Sequence, residues 1–460
     1  MLYVNKFIRH VLKNLSLYLF AFLLVFTSDR YSRWMTEKTY GHGIFYDDVE
    51  EYYAYLPVLF LPQNSNAIDS AINTNTLKYS KRTIGMAILY SPFFFIADII
   101  AGHGGYDRDG YSAPYQNLIH FGTIFYCLLG LWFCRKSLLL FFNDTTVFIS
   151  LLCIYLGTNL FFYTYGNGEM AHSYLFFLFS VFIYSTLKWV LKNSSFYLLI
   201  LSFILGLITL IRPSDIIIIL FPLLFKINSI DNFVSRIKFI FAKPILLSIA
   251  AFFFLLPLFT QMLIWKSFTG HYIYYSYVNE RFFFLDPQLT NILFSFRKGW
   301  LIYTPIMIFS LIGLVLSKKH LKEFFIFSIV FFLFNTYLLS CWWDWSYGGS
   351  FGCRAIIQSY AFLIFPFAVF VQWCWSLWKE KIIATIFIRT SLTVILFLFI
   401  KLNLFQSWQY KFLIINWNGM NKEAYEYVFL KERLSPEEYK IFSAKLTPPN
   451  YTKMLEGKRN

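Results

Sequence analysis

Charge is the scarcest commodity in this sequence. Only 14% of its 460 residues are charged, against roughly 25% in a soluble domain, which excludes an ordinary solvated surface. Acidic residues are scarcer still, 25 Asp and Glu against 40 Lys and Arg. The six cysteines follow no metal-ligand spacing. There is no internal repeat, heptad seam or low-complexity segment, which argues against repeat transporters and fibrous assemblies. What is present is apolar: 58% hydrophobic residues, including 57 Phe, 33 Tyr and 13 Trp, and a mean hydropathy of +0.54. This composition excludes disorder as the dominant state and makes the bilayer the solvent. The expected fold class is therefore an all-α polytopic membrane protein.

The net charge of +15 first suggests nucleic acid. The cations, however, cluster between apolar runs, where the positive-inside rule places them, so no nucleic-acid partner is expected. Lys6, Arg9 and Lys13 precede an apolar stretch at 14–27 without a small-x-small cleavage site. This reads as a retained first helix with a cytoplasmic N-terminus. The stretch 85–102 contains Pro92 and Asp98 and lacks a following basic cluster, so it is expected to lie along the interface. Residues 28–116 then form one large extracytoplasmic loop. Runs at 117–133, 145–162, 171–188, 196–211, 215–225, 244–266, 299–317, 323–340, 355–377 and 382–403 complete about eleven spans of roughly 20 residues. Residues 404–460 form a small extracytoplasmic segment, in which Ser435-Pro436-Glu437-Glu438 predicts a capping box.

Polar groups gather on the outer side of this topology. Asp47, Asp48, Glu50 and Glu51 crowd four carboxylates into five positions before Tyr52, either as a solvated turn or as an acidic site. Lys78, Lys81 and Arg82 read as snorkelling cations or as a phosphate clamp. Glu169 and His172 share a face at a helix start. Arg297 and Lys298 break the positive-inside rule. Trp345 and Arg354 flank three glycines, with Cys341 and Cys353 bracketing the same stretch as a disulfide or as two thiols. Arg212 and Asp215 meet between two short runs, a costly pair at membrane depth. Early carboxylates opposite scattered cations suit sugar transfer from a lipid phosphate, with a carboxylate as base and Lys/Arg holding the leaving phosphate.

These residues resemble the GT-C superfamily of integral membrane glycosyltransferases, which includes protein mannosyltransferases and the lipid A aminoarabinose transferase. Asp48–Tyr52 matches the family's Asp-x-x-x-Tyr in the first outer loop. Lys81-Arg82-Thr83-Ile84-Gly85 is similar to its Lys-Tyr-Pro-x-Gly, with the Tyr and Pro replaced. Further likeness lies in Asp109–Gln116, Met170-Ala171-His172, Arg212-Pro213, Phe296-Arg297-Lys298-Gly299 and Trp345-Ser346-Tyr347-Gly348 with Arg354. The resemblance covers residues 1–403 and implies an inverting single displacement. Asp48 would be the base, with Asp47 and Glu169 as the other candidate carboxylates. Lys81, Arg82, Arg297, Lys298 and Arg354 would bind donor phosphate, and Tyr52, His172, Arg212 and Trp345 would line the substrate pocket. The implied partners are a polyprenyl-phosphate-sugar donor, a glycan, lipid or protein acceptor, and membrane lipid. Some members use a divalent cation (Mg2+ or Mn2+) and others none. The implied setting is a bacterial cytoplasmic membrane with the site facing the periplasm. Asn167 and Gly168 occupy positions where relatives often carry a second carboxylate. The competing expectations are a lipid-linked sugar flippase or a polysaccharide polymerase or ligase.

Overall fold

The structure is a computed structural model that describes residues 14–36, 43–61, 80–192, 194–377 and 382–459. Lys6, Arg9, Lys13 and Lys78 lie outside these residues. Among the described residues every regular element is helical, with one isolated antiparallel bridge between Phe282 and Trp342. Among the described residues seven segments are long and apolar enough to cross a membrane. They are α4 (Gly85–Gly104), α5 (Ala113–Leu138), α7 (Ala171–Lys192), α10 (Pro244–Thr269), α12 (Lys322–Cys341), α13 (Tyr360–Ser376) with its lead-in from Arg354, and α14 (Ile382–Lys411). Shorter apolar helices accompany them: α6 (Asp144–Leu156), α8 (Ser195–Ile211) and the broken segment 213–224. The helix α1 (Leu15–Thr36) is apolar in its first half and carries Asp29 and Arg30 in its second.

Burial ranks these helices. The 18-residue apolar window of Arg354–Ser376 is 94% buried, whereas those of α14 and α10 are 11% and 17% buried. The first is therefore the hub of the bundle, and the other two present apolar surface outward, as lipid-facing helices do. Around the hub, α5 packs on α7, α7 on α8, and α8 on α10. The short helix α11 (Ile308–His320) packs on α13, and Gly313 lets the two backbones meet.

The stretch 85–102, expected to lie along the interface, is one continuous helix, α4, whose length and composition would equally suffice for a span. Its Asp98 is paired with Arg108 at 2.5 Å and accepts from Tyr115, so the carboxylate does not break the helix. The expected run 145–162 stops at Leu156 before an irregular turn. The run 299–317 is interrupted at Thr304-Pro305, where proline cannot donate to the ladder. The expected boundary at 403/404 falls inside α14, which continues to Lys411. That extension is polar, yet Asn403 donates to the carbonyls of Leu156 and Thr158, and Gln409 donates to those of Val428 and Lys431. Tertiary partners thus satisfy side chains that would otherwise end an apolar helix. An unpredicted helix, α9 (Ile230–Phe241), has no buried residue and a strongly amphipathic pattern.

The segment after α14 folds into three short helices, α15 (Lys422–Val428), α16 (Pro436–Lys445) and α17 (Tyr451–Leu455). The capping box at Ser435 and Glu438 is formed, with Pro436 in the first turn. All six cysteines are free and buried, Cys341 and Cys353 included.

Candidate functional site

A polar cavity of about 420 Å3 opens where the ends of several helices and loops meet. Six separate stretches build it. The short helix α2 (Asp48–Tyr53), which α3 (Tyr55–Phe60) follows, supplies Asp48 and Tyr52, the turn before α4 supplies Lys81 and Arg82, and the start of α7 supplies His172. Arg212 comes from the junction after α8, Tyr277 and Glu280 from the loop after α10, and Trp342, Trp343, Asp344 and Arg354 from the stretch after α12.

Asp48 sits in the first turn of α2, where helix geometry favours a carboxylate. Arg82 donates from Nη2 to its Oδ1 at 2.5 Å, and Arg354 Nη2 stands 3.5 Å from Oδ2. Burial alone would raise the Asp48 carboxyl, but the two arginines outweigh it and hold the pKa below the ordinary value. Arg82 is fixed in turn, donating to the Tyr277 hydroxyl at 3.1 Å with its guanidinium 5.6 Å from the Tyr52 ring. Burial opposes its charge, yet Tyr52 and Asp48 keep Arg82 firmly protonated. The Tyr52 hydroxyl is pushed up to about 12, chiefly by burial.

The neighbouring turn is held by Glu51, whose Oε2 accepts from Ser80 Oγ at 3.0 Å and from the Lys81 amide at 2.9 Å. That leaves the Lys81 ammonium free to reach across the cavity to Glu280, at 2.5 Å. Arg212 lies over the Tyr347 ring at 5.3 Å and 3.9 Å from Asp215. Asp344 accepts from the Ser346 amide and hydroxyl and from the Gly348 amide, at 2.6–3.1 Å. It thereby shapes the turn through Tyr347 and Gly348, both at positive φ, and Gly348 is the residue suited to that backbone. His172 packs edge-on to Tyr163, and its buried Nδ1 meets no hydrogen-bond partner among the described residues.

The geometry sorts the candidates drawn from the sequence. Asp48, Tyr52, Lys81, Arg82, His172, Arg212 and Arg354 converge on one cavity. Asp47, Glu169, Arg297, Lys298 and Trp345 are not among its lining residues. Asp47 is exposed and occupies the N-cap of α2 at φ 50° without capping it. Glu169 is buried and faces away, bonded to His120 Nδ1, whose ring stacks on Tyr31. Lys298 is also buried, its ammonium spent on the carbonyls of Ser350 and Trp417, and burial pushes its pKa well down. Arg297 donates to the Thr447 carbonyl and lies over Trp345. These two cations tie the start of the 299–317 stretch to Ser350, Trp417 and Thr447, so carbonyls take the place expected for a phosphate.

Tyr277 and Glu280 were not anticipated. Their signal was the aromatic run Tyr272–Tyr277 closed by Glu280 in the stretch after α10, too polar to span and too aromatic to be a free linker. The acidic cluster also fails to converge. Asp48 is engaged by two guanidiniums, Glu51 by the 80–81 turn, and Asp47 faces solvent. Among the described residues no three His, Cys, Asp or Glu side chains are placed to share a metal ion.

Compared with protein-family models, with curated proteins and with solved structures, the chain matches none of them.

Proposed function

We propose that the protein is a membrane glycosyltransferase of the GT-C kind, moving a sugar from a polyprenyl-phosphate donor to an acceptor hydroxyl. The observation that carries this reading is Asp48 flanked by Arg82 and Arg354 in a cavity that Lys81 and Arg212 also line. Asp48 held between two guanidiniums, with Glu51, Glu280 and Asp344 elsewhere on the lining, puts a base next to cations from distant loops, the charge layout that such a reaction needs. In a single displacement the acceptor oxygen bonds to the anomeric carbon while the bond from that carbon to the phosphate oxygen breaks. Asp48 takes the acceptor proton, and polyprenyl phosphate leaves with the bonding pair, its charge met by the cations. Configuration at the anomeric carbon inverts.

The arginines tie the two halves of this scheme together. In the described arrangement they neutralise Asp48 and keep it a weak base. A donor phosphate competes for the same guanidinium groups, so its arrival releases the carboxylate and raises its basicity when an acceptor is to be deprotonated. Tyr52, Tyr277, Trp342 and Trp343 provide aromatic faces of the sort on which sugar rings stack. An apolar groove of about 390 Å3 is walled by α8, the 213–224 segment, α9 and α10. Two of these walls, α8 and 213–224, also border the polar cavity, which gives a prenyl tail a route away from the headgroup.

The finer topology belongs to the same proposal. About eleven spans of roughly 20 residues would place the cavity on the extracytoplasmic side of a bacterial cytoplasmic membrane. The acceptor class (glycan, lipid or protein) is left to experiment. The test is transfer of radiolabel from polyprenyl-phosphate sugars in membranes carrying the chain or its Asp48→Asn variant. Loss of a general base should cut the rate by about 10^2- to 10^4-fold while insertion is unchanged. Equal transfer by both would remove Asp48 from the chemistry.

A further inference from the structure

Two stretches that wall the cavity are joined by a side chain that does not line it. Arg459 is 1% exposed. Its Nη1 donates to the carbonyls of Ser340, Cys341 and Trp342 at 3.3, 3.2 and 2.9 Å. These are the last carbonyls of α12 and the next residue, groups left without helical partners and carrying the negative end of the helix dipole. The remaining nitrogens, Nε and Nη2, reach Asp286 at 3.3 and 3.1 Å, and the guanidinium lies over the Phe283 ring at 4.9 Å. The Arg459 carbonyl in turn accepts from the Trp345 indole at 3.0 Å.

Residues 281–288 and 340–345 are already paired sparsely. Phe283 N donates to Cys341 O, Gln288 N to Ser340 O, and Trp343 N to Arg281 O. This ladder carries Glu280 and Phe282 on one side of the cavity mouth and Trp342, Trp343 and Asp344 on the other. An arginine that bonds both stretches at once fixes their register, and with it the spacing of the aromatic wall.

We propose that Arg459 is a positioning residue for the cavity, holding the 280–286 and 339–345 walls at the separation that substrate meets. The structural half of this inference stands alone, and its consequence for turnover rests on the transferase reading. The test compares the full chain with Arg459→Ala and Arg459→Lys by site-resolved alkylation of the native cysteines in detergent. Cys341 is fully buried beneath these bonds, while Cys127, Cys134 and Cys153 lie in the helical bundle. In the Ala variant Cys341 should react about tenfold faster or more, as a locally opened segment does. The three bundle cysteines should be unchanged and the Lys variant intermediate. In the transfer assay the Ala variant should show a donor KM raised about tenfold, kcat per folded molecule unchanged, and partial recovery with added guanidinium ion. A residue that only stabilised the fold would lower the active fraction and leave KM alone.

Cys341 protected as in the native chain would overturn the inference. So would general exposure of every cysteine, which would make Arg459 a determinant of the whole fold. Selective exposure of Cys341 in a chain whose native form transfers no sugar would instead leave the positioning role standing and count against the transferase.

Discussion

At the scale of single residues, the central object is the carboxylate of Asp48 between Arg82 and Arg354. Its acidity is a balance in which burial raises the pKa and the two guanidiniums lower it by more. The sign has a consequence for pH. A carboxyl depressed in the folded protein favours the fold at neutral pH, and that contribution is lost as pH falls through the folded value. It also keeps Asp48 ionised across the mildly acidic range, so the acid limb of kcat/KM set by this group should lie below its ordinary 3.8. Replacing Arg82 with Gln removes the nearer cation and leaves Arg354, Lys81, Glu51 and Tyr52 around the carboxylate. The limb should then move up by about one pH unit or more, and donor KM should rise. A profile that stays in place after Arg82→Gln would mean that Asp48 is not the titrating base. The Asp-x-x-x-Tyr spacing made Asp48 legible in the sequence, because that spacing is local. The fates of Lys298 and Glu169 were not, because their partners lie far along the chain, at Trp417 and His120. A motif reports residue types and spacing, and it does not report which way a side chain turns.

At the scale of elements, apolar runs located most helices, since a backbone in a bilayer must be satisfied internally and a single long apolar segment does so as a helix. The breaks and extensions were harder to read. The end of α14 is polar in sequence and helical in structure because Asn403, Gln406 and Gln409 find partners outside the helix. Close helix packing was similarly hidden, since a lone glycine in an apolar run has several readings. Gly313 on α11 resolves into one. A Cβ there would lie 1.8 Å from the carbonyl oxygen of Pro366 and 2.6 Å from its carbon, on α13. Proline is fixed in the backbone of the most buried helix and cannot swing aside, so Gly313→Ala must push α11 away from the hub. The expected cost is about 1–3 kcal/mol, visible as a lower thermal midpoint in detergent. An Ala variant as stable as the native chain would show that this crossing is looser than the described contact.

At the scale of the whole molecule, the cavity exists only because segments separated along nearly the entire chain end on the same side. The positive-inside rule assigns that side from basic clusters, and α10 offers the most direct check of it. The helix runs from Pro244 to Thr269, 26 residues, or about 39 Å at the usual rise per residue. This exceeds the roughly 30 Å hydrocarbon core. Arg236, Lys238 and Lys243 precede it, while Tyr277 and Glu280, which follow it, face the cavity. The positive-inside rule then puts Lys238 in the cytoplasm and the cavity outside. Lys238 and Tyr272 are both exposed, and the six native cysteines are buried, so single introduced cysteines can report each end. In intact cells a membrane-impermeant maleimide should label Tyr272→Cys at once and Lys238→Cys only after permeabilisation. Labelling in the opposite order would turn the cavity towards the cytoplasm, where soluble nucleotide sugars are at hand and a polyprenyl-phosphate donor loses its rationale. Labelling of both in intact cells would mean that α10 does not cross the membrane at all. The experiment therefore bears on more than topology, because the class of donor follows from the side on which Asp48 and its arginines meet it.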